Sequence, residues 1–195
     1  MSLQENKLYH FYNQGNNRQR IFFSRDNHLY FLEKFRKYVS PHCQVLAYCL
    51  MPNHFHFLIN TIKDSIVEMQ VGSLMVPALN NGFRQLLSSY AQAINKQEGR
   101  SGSLFRQKTK AKLLEDGDEH YPLICFHYIH QNPLRSGLVG KLEDWEFSSF
   151  TDYLGMRNGS LCDQQTAIEL LDISKELFYQ ESYRVIPPDV SETLF

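Results

Sequence analysis

Residues Leu50 to Ile59 read L-M-P-N-H-F-H-F-L-I, and few stretches constrain a fold as tightly. After the Met51-Pro52-Asn53 turn, histidine alternates with phenylalanine, a period of two that specifies a strand with unlike faces. His54 and His56 share one face, while Phe55 and Phe57 enter a core on the other. Same-face neighbours on a strand have Cα atoms roughly 7 Å apart, so two imidazoles can reach one ion at about 2.0–2.2 Å per bond. An H-x-H pair alone is equally compatible with a half-buried strand that carries two histidines. Gln44 to Leu50, with Val45, Ala47 and Cys49 at period two, predicts the partner strand. The two form an antiparallel hairpin with the histidines near its turn.

The rest of the chain supplies the elements that such a hairpin needs. Lys7 to Asn13 alternates as a first strand and runs into the polar turn Asn13 to Asn17. Ser24 is placed to N-cap a helix from about Asp26 to Tyr38, with Leu29, Leu32, Phe35 and Tyr38 as its stripe. Thr61 to Pro77 shows no period and reads as a loop or broken helix. Ala78 to Gln97 repeats Leu79, Phe83, Leu86, Leu87, Tyr90 and Ile94, an amphipathic helix. Leu104 to Leu114 alternates again, with Arg106, Lys108, Lys110 and Lys112 on one face and Phe105, Ala111 and Leu113 on the other. Beyond the polar stretch Glu115 to Glu119, a helix is expected from about His120 to Gln131, stopped by Pro133. Strand–helix–strand–strand–helix–strand is the α+β, ferredoxin-like βαββαβ order with an antiparallel sheet. Patterns at Ala167 to Leu171 and Leu177-Phe178 add C-terminal helices before a Pro187-Pro188 tail that is expected to be mobile.

Composition narrows the class of function. At 195 residues, 43% hydrophobic and 21% charged, the chain has the make-up of one soluble globular domain. It lacks the run of about 20 apolar residues that a membrane span requires. Four scattered cysteines without a C-x-x-C pair argue for reduced thiols in the cytoplasm and against a closed zinc site. The net charge of −1 conceals a segregation: Arg84 to Lys112 holds seven bases and one acid, whereas Leu142 to Phe195 holds eleven acids and three bases. A concentrated positive patch holds phosphates whatever the total charge. Arg106, Lys108, Lys110 and Lys112 are therefore candidate nucleic-acid contacts, with Arg18 and Arg20 beside them.

The helix before Pro133 contains Phe126-His127-Tyr128-Ile129-His130-Gln131-Asn132. Positions four apart share a helix face, so Tyr128 and Asn132 align, with Gln131 close by and His130 turned elsewhere. Two neutral imidazoles and an amide oxygen can hold a divalent ion while leaving positions open for phosphate oxygens. A phenol, with its pKa of about 10, then attacks phosphorus with the help of the ion or a base. A tyrosine packed in the core is the alternative. A histidine-triad hydrolase would need a third histidine where Leu58 stands.

These residues carry a resemblance. M-P-N-H-x-H-x-L-I and Y-I-H-x-N-P-x-R-x-G-L-V (Tyr128 to Val139) resemble the single-tyrosine HUH transposases, and within them the REP-associated tyrosine transposases. Asn13 to Phe22, Gly102 to Lys108 and Trp145 to Gly155 agree, with Phe105 standing where many relatives have tryptophan. The resemblance covers roughly residues 8 to 155. It implies a catalytic domain over 1–155, and the charge and pattern of the rest read as an acidic helical extension and tail over 156–195. It further implies Mg2+ or Mn2+ held by His54, His56 and Asn132, with Gln131 as the alternative third ligand. Tyr128 is implied as the nucleophile that forms a 5′-phosphotyrosine bond and releases a 3′-hydroxyl. The implied partner is single-stranded DNA with a hairpin, handled by a monomer or a homodimer in the cytoplasm near the nucleoid. A domesticated hairpin-binding protein that mobilises nothing would keep the same residues.

Overall fold

The computed structural model describes residues 3–114, 120–188 and 193–194. Its elements run β1 (Leu8–Gln14), α1 (Arg25–Tyr38), β2 (Cys43–Met51), β3 (His54–Thr61), α2 (Lys63–Ile66), β4 (Glu68–Val71), β5 (Leu74–Pro77), α3 (Ala78–Gln97), β6 (Lys110–Leu113), α4 (Tyr121–Arg135), α5 (Phe150–Tyr153), α6 (Gln164–Leu171) and α7 (Phe178–Ser182). β2, β3, β1 and β6 lie side by side in that order, and every neighbouring pair is antiparallel. This is the expected βαββαβ core.

Both faces of the sheet are covered. On one face, Phe35 of α1 stacks on Phe57 at 4.1 Å, and Phe83 of α3 stacks on Phe11 at 4.7 Å. Tyr90 of α3 buries its ring there and donates its hydroxyl to the Ile21 carbonyl at 2.8 Å. The other face, which carries the histidines, is roofed by α4 and the C-terminal elements. Ala47, Cys49, Met51 and Leu58 pack there with Cys125, Phe126, Ile129, Phe150 and Phe178. Residues 156–188 join both layers rather than forming a layer of their own: Leu161 and Cys162 enter the first core, and Ala167, Leu171 and Ile186 the second. Ile186 and Leu194, within the expected tail, are buried.

Several local expectations are corrected. Ser24 caps α1 as expected, but the cap also fixes the helix's rotation, since Asn27 Oδ1 accepts from the Phe23 and Ser24 amides. The buried stripe is therefore His28, Phe31 and Phe35, and Leu29 is 41% exposed. In β2 a bulge between Val45 and Ala47 inserts Leu46, so Val45 faces the first core while Ala47 and Cys49 face the second. Thr61 to Pro77 is not irregular: after α2, β4 and β5 pair as a small separate hairpin with Leu74 and Met75 exposed at its end. Helix α4 passes through Pro133, which forfeits only the bond to the Ile129 carbonyl. It closes where Gly137, at φ +67°, donates to the Leu134 carbonyl. The polar stretch Glu115 to Glu119 lies outside the described residues.

The expected strand over Leu104 to Leu114 is the largest correction. Only Lys110–Leu113 pairs with β1, and Phe105 makes one isolated bridge to Gly15. Between them the Asn13 side chain bonds the Arg106 carbonyl and Thr109 Oγ1, both at 3.2 Å. The Arg106 carbonyl is thus bonded by a side chain rather than by a ladder partner, and residues 106–109 leave the sheet. The four cations therefore do not form a single strand face; Lys110 and Lys112 alone keep that relation.

Candidate active site

The β2–β3 connection is a two-residue turn, Pro52-Asn53, with Met51 opposite His54. It sets the His54–His56 face against α4. The two imidazole centroids are 4.9 Å apart, nearly perpendicular. The Tyr128 ring meets His56 edge-on at 5.8 Å, within the same chain. Asn132, one turn on, donates Nδ2–H to the Tyr128 carbonyl at 2.8 Å, which directs its Oδ1 away from its own backbone. Its side chain lies close enough to His54 and to the Tyr128 phenol to bias the ionisation of both, upward for the imidazole and downward for the phenol.

Gln131 is engaged elsewhere. Its amide donates to the Ser182 and Arg184 carbonyls at 2.9 and 2.8 Å. His127 and His130 also point away, to the hydroxyls of Ser182 and Ser149. Of the two amides left open by sequence, Asn132 is thus the one beside the histidines. Asn132→Ala is expected to weaken Mn2+ binding while Gln131→Ala lowers stability by about 1–2 kcal/mol through two lost hydrogen bonds. Metal titration and urea unfolding of both variants check this, and the reverse pattern would move the third ligand to Gln131.

Burial sets the ionisation of the site. Desolvation lowers His54 to about 4, against the Asn132 side chain, and drives His56 well below its usual value, with help from His54 and His10. Both are neutral at physiological pH, the form that ligates metal. Desolvation pushes Tyr128 up to about 12, while the Arg135 guanidinium, 5.8 Å over its ring, and the Asn132 side chain pull it back. The donor set, two imidazole nitrogens and one amide oxygen, suits a divalent ion such as Mg2+ or Mn2+ with coordination positions to spare. Among the described residues, no group of three or more His, Cys, Asp or Glu could hold a metal.

Three residues at the site were not singled out in the sequence. Asn53 Oδ1 accepts from His54 Nδ1–H at 2.6 Å. His10 of β1, fully buried, places Nε2 at 2.8 Å from His56 Nδ1. Arg135 covers the tyrosine. The signals were available: Asn53 adjoins His54, and His10 alternates with Tyr9 and Phe11 on a strand that neighbours β3.

The cations border a groove of about 1020 Å3 between α3 and residues 102–112, floored by Phe83, Leu87 and Phe105. Arg84, Arg106, Lys108, Lys110 and Lys112 line it, with no carboxylate among the lining residues. Lys112 also binds the Tyr121 hydroxyl at 2.7 Å and the Thr193 carbonyl at 2.5 Å. Arg18 and Arg20 are exposed on the turn that follows β1, and Asn53 Nδ2 donates to the Arg18 carbonyl at 3.3 Å. Among the described residues, no helix is long and apolar enough to cross a membrane.

Together the fold and the site define a ferredoxin-like domain in which a strand-borne H-x-H pair faces a helix-borne tyrosine. Within that class, the chain is similar to the REP-associated tyrosine transposases. It is 23% identical over 129 residues to a Haemophilus influenzae protein provisionally named as one, covering 62% of this chain and 69% of that protein. It also superposes on the solved structure of a REP-associated tyrosine transposase bound to a REP hairpin. The TM-score is 0.54 at 15% identity, over 82% of this chain and 90% of the other, a likeness of fold. No family model matches the chain.

Proposed function

We propose that this protein is a metal-dependent nicking and joining enzyme for single-stranded DNA that carries a hairpin. The observation that carries the reading is the meeting of His54, His56, Asn132 and Tyr128 inside one chain. A bound Mg2+ or Mn2+ would polarise the scissile phosphodiester and offset the negative charge carried by its oxygens. His54, His56 and the Asn132 oxygen would hold it. The Tyr128 oxygen would attack phosphorus while the bond to the 3′ oxygen breaks, and the proton given up by the phenol would balance the one taken by the departing oxygen as it becomes a 3′-hydroxyl. Arg135 would favour the phenolate, and the roof of α4 and C-terminal elements would keep water from competing. Because the set assembles within one chain, a monomer would suffice. The two similar proteins, one named as a REP-associated tyrosine transposase and one solved with a REP hairpin, support the substrate class.

The test is incubation with a labelled single-stranded hairpin oligonucleotide and Mn2+. A metal-dependent protein–DNA band that survives denaturation, and disappears with chelator, is expected. A protein that binds the hairpin but forms no such band under any metal would be a domesticated binder instead.

The groove beside α3 is the proposed path of the phosphates, with Arg18 and Arg20 extending it toward the His54 turn. Apolar floor and cationic rim match the demands of single strands, which stack and ion-pair at once. Each contact released on single strands contributes about −0.7 to the salt slope. Replacing Lys108 and Lys110 together by alanine is expected to flatten that slope by about 1–1.5 and weaken all sequences alike. Melting temperature should hardly move, since both side chains are exposed. Fluorescence anisotropy at several salt concentrations gives the answer, and an unchanged slope would place the DNA elsewhere.

A further inference from the structure

We propose that His10 is the positioning residue for His56, accepting its Nδ1–H and thereby fixing the tautomer whose lone pair sits on Nε2. The inference rests on the metal reading above and adds to it the means by which the protein prepares the ligand. Three facts carry it. His10 and His56 project from the same face of adjacent strands, diagonal to one another because Tyr12 lies opposite His56 and Leu58 opposite His10. Their rings meet edge to edge and nearly parallel, at 22° with centroids 5.0 Å apart, and His10 Nε2 lies 2.8 Å from His56 Nδ1. Both are fully buried.

A hydrogen bond between two neutral imidazoles has one donor and one acceptor, and two assignments exist. If His10 donated, the lone pair of His56 would be spent on His10 and its Nε2 would carry hydrogen. That tautomer cannot ligate through Nε2. If His56 donates, Nε2 keeps its lone pair. The neighbouring ligand is held in the form this assignment would give His56: His54 has its Nδ1 occupied by the acceptor Asn53 Oδ1, so its lone pair is on Nε2. Two histidines of one H-x-H pair, each held at Nδ1 by a different neighbour, present the same nitrogen. Metal-bound histidine is commonly oriented by a carboxylate or a carbonyl, and losing such a partner costs about 10–100-fold in affinity. Here a buried neutral imidazole takes the role. A carboxylate at that depth would need a cation beside it.

The tautomer is read without metal or DNA. In protein labelled with 15N-histidine, long-range 15N–1H correlation spectra separate Nδ1–H from Nε2–H rings. Wild-type His56 is expected as Nδ1–H. His10→Ala is expected to shift it toward Nε2–H and to weaken Mn2+ binding, followed by electron paramagnetic resonance of the free ion, by about 10–100-fold. His10→Gln, whose Oε1 reaches where Nε2 stood and only accepts, should restore the tautomer and bring affinity back to within a few-fold. An Nε2–H ring in the wild type would overturn the proposal without any variant. So would an unchanged tautomer or unchanged Mn2+ affinity in a folded His10→Ala protein. Wild type that shows the expected tautomer but binds no Mn2+ would instead overturn the metal reading, and this role with it.

Discussion

Tyr128→Phe is expected to abolish the covalent protein–DNA adduct, a loss on the order of 10^3-fold or more, while hairpin affinity stays within about twofold. The variant removes one oxygen and leaves a ring that still meets His56 edge-on and still lies under Arg135. Its stability should change little. The Asn132 side chain beside the phenol keeps its own anchor to the Tyr128 carbonyl. Denaturing gels with labelled DNA read the adduct, and anisotropy reads the binding. A band that persists in this variant would show that another group attacks phosphorus. If affinity fell in step with adduct formation, the ring itself would be a DNA contact rather than a nucleophile.

The second large effect is a steep loss of stability in mild acid. Five of the eight histidines are buried and His54 is half-buried, and all six have depressed pKa values, desolvation being the first cause for each: His10 near 3, His28, His54 and His127 near 4, and His56 and His130 well below normal. In the unfolded chain all six titrate near 6.5. Below that value the unfolded state takes up protons that the folded state refuses, so stability is complete above pH 6.5 and is lost as the pH falls toward 4. Between pH 6.5 and 5.5 each histidine contributes about 1 kcal/mol of loss, roughly 6 in total, which rivals the whole stability of a typical domain. Urea midpoints at pH 7.5, 6.5 and 5.5 measure it. A midpoint that stays constant over that range would mean the rings are hydrated or charged in the folded state.

What the sequence disclosed follows from which forces are local. The Pro52-Asn53 turn, the Ser24 cap and the long stripe of α3 are written in residues close together, and each forms as read. The histidine pair and the Tyr128–Asn132 alignment were legible for the same reason. What escaped depends on neighbours distant in the chain. Leu46 bulges because β3 sets the register. Residues 106–109 leave the sheet, and the side chain of Asn13, more than ninety positions earlier, bonds the Arg106 carbonyl and Thr109. Period two in Arg106 to Lys112 is real as a pattern, but a strand also needs a partner backbone, and β1 ends at Gln14. His10 was visible as an alternating residue. Its place beside His56 required knowing that β1 inserts next to β3.

That insertion has a temporal consequence. β1 is made first, yet it waits for β3, about fifty residues later, and for β6, about a hundred residues later, before both of its edges are paired. The helix that bears Tyr128 comes later still. Contacts this remote in sequence form slowly, after the ends of long loops have met. On the proposed reading, a chain that has made β3 but not yet α4 holds His54 and His56 without Tyr128 and would lack its nucleophile. The proposed activity would then wait until α4 packs on the sheet that carries the histidines.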